Sequence, residues 1–163
     1  MTSLEREMNP RPPVLALDLG QKTVGVALSD ELSITIKRLD PLKRTNWKEL
    51  LRNVNALIKR FDAQTLVIGL PLSLDGSRGS AAQAVEKLAV NFARSVAVAV
   101  YLQDERLTSE EARSSLREHG YKQTEVEDLV DSESAVIILR DFLNSSEDRL
   151  LVIPPTTGDS PSV

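Results

Sequence analysis

Val14-Leu15-Ala16-Leu17-Asp18-Leu19, then Gly20-Gln21-Lys22-Thr23, then Val24-Gly25-Val26-Ala27-Leu28-Ser29-Asp30 is the stretch on which the fold turns. The first run is short and apolar. The last alternates Val24, Val26 and Leu28 against Gly25, Ala27 and Ser29, the two-residue period of a strand with distinct faces. A glycine-led spacer between two such runs reads as the turn of an antiparallel hairpin. A third strand at about Ser33 to Leu39, with Ile34 and Ile36 in alternation, extends the hairpin into a three-strand meander.

Working outward, Asn46 can cap a helix with Glu49 at its third position, and Trp47, Leu50, Leu51, Val54, Leu57, Ile58 and Phe61 follow a 3.6-residue stripe. Thr65 to Leu70 reads as a buried strand, Ser80 to Arg94 as a helix, and Val96 to Leu102 as a second buried strand. That alternation implies parallel strands joined by helical crossovers. Thr108 with Glu111 is another capping pattern, opening a short helix that ends near His119-Gly120. A last helix runs from about Glu125 or Glu127 to Leu143. A meander followed by helix, strand, helix, strand, helix is the order of the RNase H-like fold. The expectation is therefore an α/β domain with a five-stranded mixed sheet over 14–143. Residues 1–13 are expected to be a flexible leader and 144–163, with Pro154-Pro155 and a Thr/Ser/Gly-rich end, a disordered tail.

A chain of 163 residues, 41% hydrophobic, suits one domain that buries about two-thirds of its unfolded surface. It has no long apolar run and no charged-then-apolar start, so neither a membrane nor secretion is expected and the location reads as cytoplasmic. With no cysteine, disulfides, thiolate nucleophiles and cysteine zinc sites are excluded, and the single His119 argues against a histidine-rich metal centre. What remains is carboxylate, lysine, arginine and hydroxyl chemistry, a palette suited to hard cations such as magnesium or manganese. The net charge is −4, yet the segment from Ile34 to Arg60 carries eight bases against Asp40 and Glu49, a local +6. That segment can grip phosphates, or can equally be a solvated helix face with its loop.

Three acids stand at the ends of apolar runs. Asp18 shares a strand face with Val14 and Ala16, and Gly20 permits the turn after it. Asp131 lies on the stripe of Ala135, Ile138 and Phe142, beside small Ser134; a first-turn aspartate favoured by the helix dipole is the alternative. In Asp104-Glu105-Arg106, alternation lets one acid or the other face the same side, and Arg106 can contact a phosphate or neutralise the acids. A carboxylate at the border of a core must be matched by a cation or be costly, and a shared divalent ion would match all three. The segment Gly69 to Gly79 is turn-rich and precedes a helix, so backbone amides with Ser80 and Arg78 can hold a phosphate; Asp75-Gly76 also makes a plain turn. It lacks the Gly-Lys-Ser/Thr ending of a P-loop.

Taken in order, Ala16-Leu17-Asp18-Leu19-Gly20 to Asp30, Val67-Ile68-Gly69-Leu70-Pro71 to Asp75-Gly76, Asp104-Glu105-Arg106-Leu107-Thr108 to Ala112, and Val130-Asp131-Ser132 to Leu139 resemble the YqgF (RuvX) family of RNase H-like nucleases. The resemblance implies a bacterial nuclease that matures the 5′ end of 16S ribosomal RNA, in a family earlier named for Holliday-junction resolution. It selects Glu105 over Asp104 and implies Asp18, Glu105 and Asp131 as both catalytic acids and metal ligands. The chain departs from the family pattern at Gln21 and Ser73. The implied chemistry is hydrolysis at two magnesium or manganese ions about 3.5 to 4 Å apart, with Lys22, Arg78 and Arg106 toward phosphate. The partner is then a nucleic acid, precursor rRNA or branched DNA. A non-catalytic nucleic-acid-binding module on the same fold is the remaining reading.

Overall fold

The alternation in the first thirty residues becomes two antiparallel strands, β1 (Val14–Leu19) and β2 (Thr23–Ser29), with Leu17 level with Val26 and Asp18 level with Gly25. The computed structural model describes residues 9–73, 75–105, 114–120, 122–144 and 147–155, with the side chains of 123–132 outside that description. A third strand, β3 (Ile36–Lys43), pairs antiparallel with β2. It starts later than the expected Ser33 because Asp30 closes the intervening turn. Its carboxylate accepts the amides of Leu32 (3.2 Å) and Ile34 (2.8 Å) and the Thr35 hydroxyl (3.0 Å), while Ser33 adopts a φ of 56°. Pro41 is tolerated inside β3 because it falls where the register against β2 is irregular, between the Val24–Leu42 and Val26–Leu39 pairs, on a strand that borders the sheet.

Helix α1 (Trp47–Phe61) forms where its stripe and cap indicate, the Asn46 side chain accepting the Glu49 amide at 2.9 Å. It is followed by β4 (Thr65–Leu70), α2 (Ser80–Ser95), β5 (Ala99–Asp104), α3 (Gln123–Asn144) and β6 (Arg149–Leu151). Residues 114–118 are helical; the start of the short helix expected from Thr108 lies outside the described residues. The sheet order is β3-β2-β1-β4-β5-β6, with β4 parallel to β1 and to β5. Six strands stand where the sequence suggests five. The sixth falls within the stretch expected as a disordered tail and pairs antiparallel with β5, Tyr101 level with Leu151. Three residues carry too little periodicity to be read as a strand.

Both faces of the sheet are covered, as its parallel centre requires. Leu15, Leu17, Leu66, Ile68 and Leu102 point toward α1 and α2, where Trp47 meets Phe92 edge-on at 4.7 Å. Val14, Ala16, Val67 and Tyr101 point the other way, against Ala135, Ile138, Leu139 and Phe142 of α3. Strand period carries that division on to the carboxyl ends of β1, β4 and β5, where Asp18, Gly69, Gln103 and Glu105 all belong to the α3 face. No described helix is long and apolar enough to cross a membrane.

Candidate active site

Three parallel strands end together. Leu17 is level with Ile68, so Asp18 comes beside Gly69; Gly69 in turn is level with Gln103, and Leu70 with Asp104. Glu105 comes directly after, its amide donating to the Leu70 carbonyl at 3.1 Å, and the Asp104 amide is held by the Asp148 carbonyl at 3.0 Å. These bonds set the alternation that the sequence left open. Gln103 is buried on the α3 face, so Asp104 points away from it and Glu105 toward it. The Glu105 carboxylate folds back over β4: a Cβ built on Gly69 would stand 2.5 Å from its Oε2. Asp18 and Glu105, both partly buried, are thereby gathered on one side of the middle strand.

Asp131 lies in α3, one turn before Ala135 and two before Ile138, and Ile138 Cδ1 also reaches the space above Gly69. The Asp131 side chain is outside the described residues, as is Arg106. The half of α3 that comes after Asp131 is fixed to β3 by Glu133, which is largely buried, accepts the Ser115 hydroxyl at 3.0 Å and lies 3.5 Å from the Arg38 guanidinium.

Lys22 is exposed in the β1–β2 turn, at the same sheet end as Asp18. That turn is stapled by Arg44, whose amide donates to the Lys22 carbonyl (2.9 Å) and whose Nη1 donates to the Gly20 carbonyl (2.6 Å). Arg78 is elsewhere engaged, its guanidinium paired in a fork with the Glu86 carboxylate of α2. The loop before it is a local turn, in which the Ser77 amide donates to Asp75 Oδ1 at 2.8 Å and Gly76 takes a φ of 85°. The basic segment divides between the two ends of the sheet. Lys43, Arg44 and Lys48 join Lys22 at the Asp18 end, because β3 runs in the direction of β1 and α1 begins there. Lys37 and Arg60 lie at the other end, each about 5 Å from the centre of the Phe61 ring. Sequence reasoning did not single out Gln103, and it met Gly69 only as a motif glycine and Arg44 only as one base of the Ile34–Arg60 segment. Their roles depend on which strands are neighbours, a long-range fact that no local pattern carries.

A hard divalent cation fits the groups gathered here. Two carboxylates share one side of β4, and beneath them the fully buried Gln103 Oε1 meets no hydrogen-bond donor among the described residues, an orphaned oxygen of the kind a cation or its water would satisfy. No three His, Cys, Asp or Glu side chains among the described residues form a metal site on their own, so the pair needs a further oxygen, for which the α3 acid Asp131 is placed in sequence.

The chain matches the family model RuvX, described as Holliday junction resolvase, over residues 13–145. It is 38% identical to a protein of Anaeromyxobacter sp. (strain Fw109-5) named "Putative pre-16S rRNA nuclease", over 80% of this chain and 95% of that protein. A protein of the same name from Lachnospira eligens is 36% identical over 82% and 98% of the two chains. Among solved structures, the fowlpox virus Holliday junction resolvase superposes with a TM-score of 0.51 at 17% identity, covering 82% of this chain and 99% of that one. T. thermophilus RuvC in complex with Holliday junction substrate gives 0.50 at 14%, covering 85% and 98%. At such identities the likeness is one of fold, and it agrees with the RNase H-like order of elements. Since the matching model runs from β1 through α3 and the relatives align along nearly their whole length, the chain belongs to the RuvX family.

Proposed function

We propose that this chain is a metal-dependent nuclease that hydrolyses phosphodiester bonds in RNA, its substrate the 5′-extended precursor of 16S rRNA. The observation that supports this reading is the Glu105 carboxylate lying over Gly69, with Asp18 on the neighbouring strand at the same carboxyl end of the parallel strands. The names of the relatives supply the substrate. Asp18 and Glu105, with Asp131 from α3, would hold magnesium or manganese. When bound, such ions stabilise charge on phosphoryl oxygens and lower the pKa of water. The chain's own part is to exclude other geometry: strand ends fix the two carboxylates, and α3 closes the face from the side. Lys22, Lys43 and Lys48 are exposed at this end and would draw phosphates toward the acids. Arg106, next after Glu105, serves the same purpose; Arg78 would have to exchange Glu86 for phosphate.

The test is cleavage of a 5′-extended 16S precursor with and without magnesium or manganese, comparing wild type with Asp18→Asn. Metal-dependent trimming that the variant loses is the expected result. Full activity in Asp18→Asn overturns the assignment. The family's description favours one second reading, cleavage of four-way DNA junctions with the same acids. Junction DNA assayed beside precursor RNA separates the two. Binding of RNA without cleavage under either metal would instead mark a non-catalytic module.

A further inference from the structure

Neighbouring strands of a sheet lie about 4.8 Å apart, so Asp18 on β1 and the residue just after β5 are separated by the full width of β4. A small divalent cation takes its oxygens at about 2.0 to 2.6 Å. Carboxylates from the two outer strands can share such an ion only by leaning over the middle one. Any side chain on β4, at that level and on that face, would stand in the way. That position is Gly69, beside Asp18 and level with Gln103. Its backbone gives no reason for a glycine, since it sits in a regular strand and its φ is not in the left-handed region that Gly76 and Gly120 occupy. A glycine inside a strand also weakens it. Space is the remaining reason. An added Cβ would lie 2.5 Å from Glu105 Oε2, 2.9 Å from Glu105 Cδ and 2.5 Å from Ile138 Cδ1.

We infer that Gly69 is a positioning residue: its missing side chain is the gap through which the Glu105 carboxylate leans across β4 toward Asp18, and it thereby sets the affinity of the site for a divalent cation. The inference rests on the site reading proposed above. It predicts that a single methyl at position 69 pushes Glu105 off the middle strand and leaves Asp18 in place. The same methyl would also press on Ile138, so the two effects must be separated.

Manganese binding to the full chain without substrate, monitored by electron paramagnetic resonance, gives a readout apart from activity. Gly69→Ala should weaken binding about 10- to 100-fold, the range seen when a group that orients a ligand is disturbed, and should lower kcat more than it raises KM. Ile138→Val removes the Cδ1 atom that the new methyl meets. In Gly69→Ala/Ile138→Val the melting temperature should return toward that of Ile138→Val while manganese affinity stays low. Recovery of both would overturn the inference, because the glycine would then serve core packing alone. If Gly69→Ala does not fold, comparing Gly69→Ala/Ile138→Val with Gly69→Ala/Ile138→Val/Glu105→Ala decides: with the Ile138 Cδ1 contact already removed, loss of the carboxylate should let the alanine be accommodated and the protein recovered. Equal instability with and without Glu105 overturns the inference. Unchanged manganese affinity in Glu105→Ala with Gly69 intact is a different result, and it overturns the site reading and this inference together.

Discussion

Asp30 and Glu105 each come just after a strand, at opposite ends of the sheet, and they are held in opposite ways. Asp30 is satisfied by its own turn, chiefly by the Ile34 amide and then by the Thr35 hydroxyl and the Leu32 amide, and this holds its carboxyl below the ordinary carboxylate range. Every partner lies within five residues. Glu105 is instead placed by β4, which is more than thirty residues earlier, through the Leu70 carbonyl below it and the bare Gly69 beside it. A carboxylate fastened by local amides shapes a loop. One brought over a neighbouring strand from more than thirty residues away is positioned by the sheet itself, not by its own loop.

The strongest blow to this contrast would come from α3, which closes the face over the acids. Phe142 is fully buried and meets Tyr101 edge-on at 5.2 Å. Phe142→Ala should cost about 3 to 5 kcal/mol in urea denaturation, and cleavage should fall with it because α3 loses its seat on the sheet. Next comes the pair that tests the contrast directly. Asp18→Asn should lower kcat by about 10² to 10³, as for loss of one preorganised electrostatic group. Asp30→Asn should instead leave cleavage at the wild-type rate and lower the urea midpoint. A catalytic loss in Asp30→Asn would break the division between the two ends.

Smaller effects sharpen it. Asn46→Ala removes the α1 cap on the other face of the sheet and should cost about 1 kcal/mol, with manganese affinity untouched. The least effect is a pH dependence. Because the folded Asp30 carboxyl titrates below its unfolded value of 3.8, its stabilisation is present in full above that value and is lost as the pH falls through the lower, folded one. Urea midpoints taken from pH 5 downward should fall less steeply in Asp30→Asn than in wild type over that window.

Legibility in the sequence obeys the same division between local and distant causes. α1 announces itself, with a cap at Asn46 and a stripe on one side, because everything that forms it lies within sixteen residues. β1, β2, β4 and β5 are legible as apolar runs whose faces are set by a period of two. The start of β3 is misplaced because Asp30 reads as the end of a strand, whereas its hydrogen bonds to residues 32, 34 and 35 postpone the next one. At the site, periodicity puts Asp18 on the α3 face but leaves Asp104 and Glu105 undecided. The buried Gln103 resolves them. Gly69 looks in sequence like one more residue of a buried strand, and only the order β1-β4-β5 shows that it stands between two acids.

β6 gives the sheet a border that a second molecule would find hard to use. Without it, β5 would present a row of open amides and carbonyls at its outer side, the template on which chains add strands to one another. With it, the exposed margin on that side is three residues long. The opposite margin, β3, carries Lys37, Arg38, Lys43 and Pro41, a charged and interrupted rim that also discourages strand addition. The sheet is thus finished at both sides by short, charged or interrupted strands.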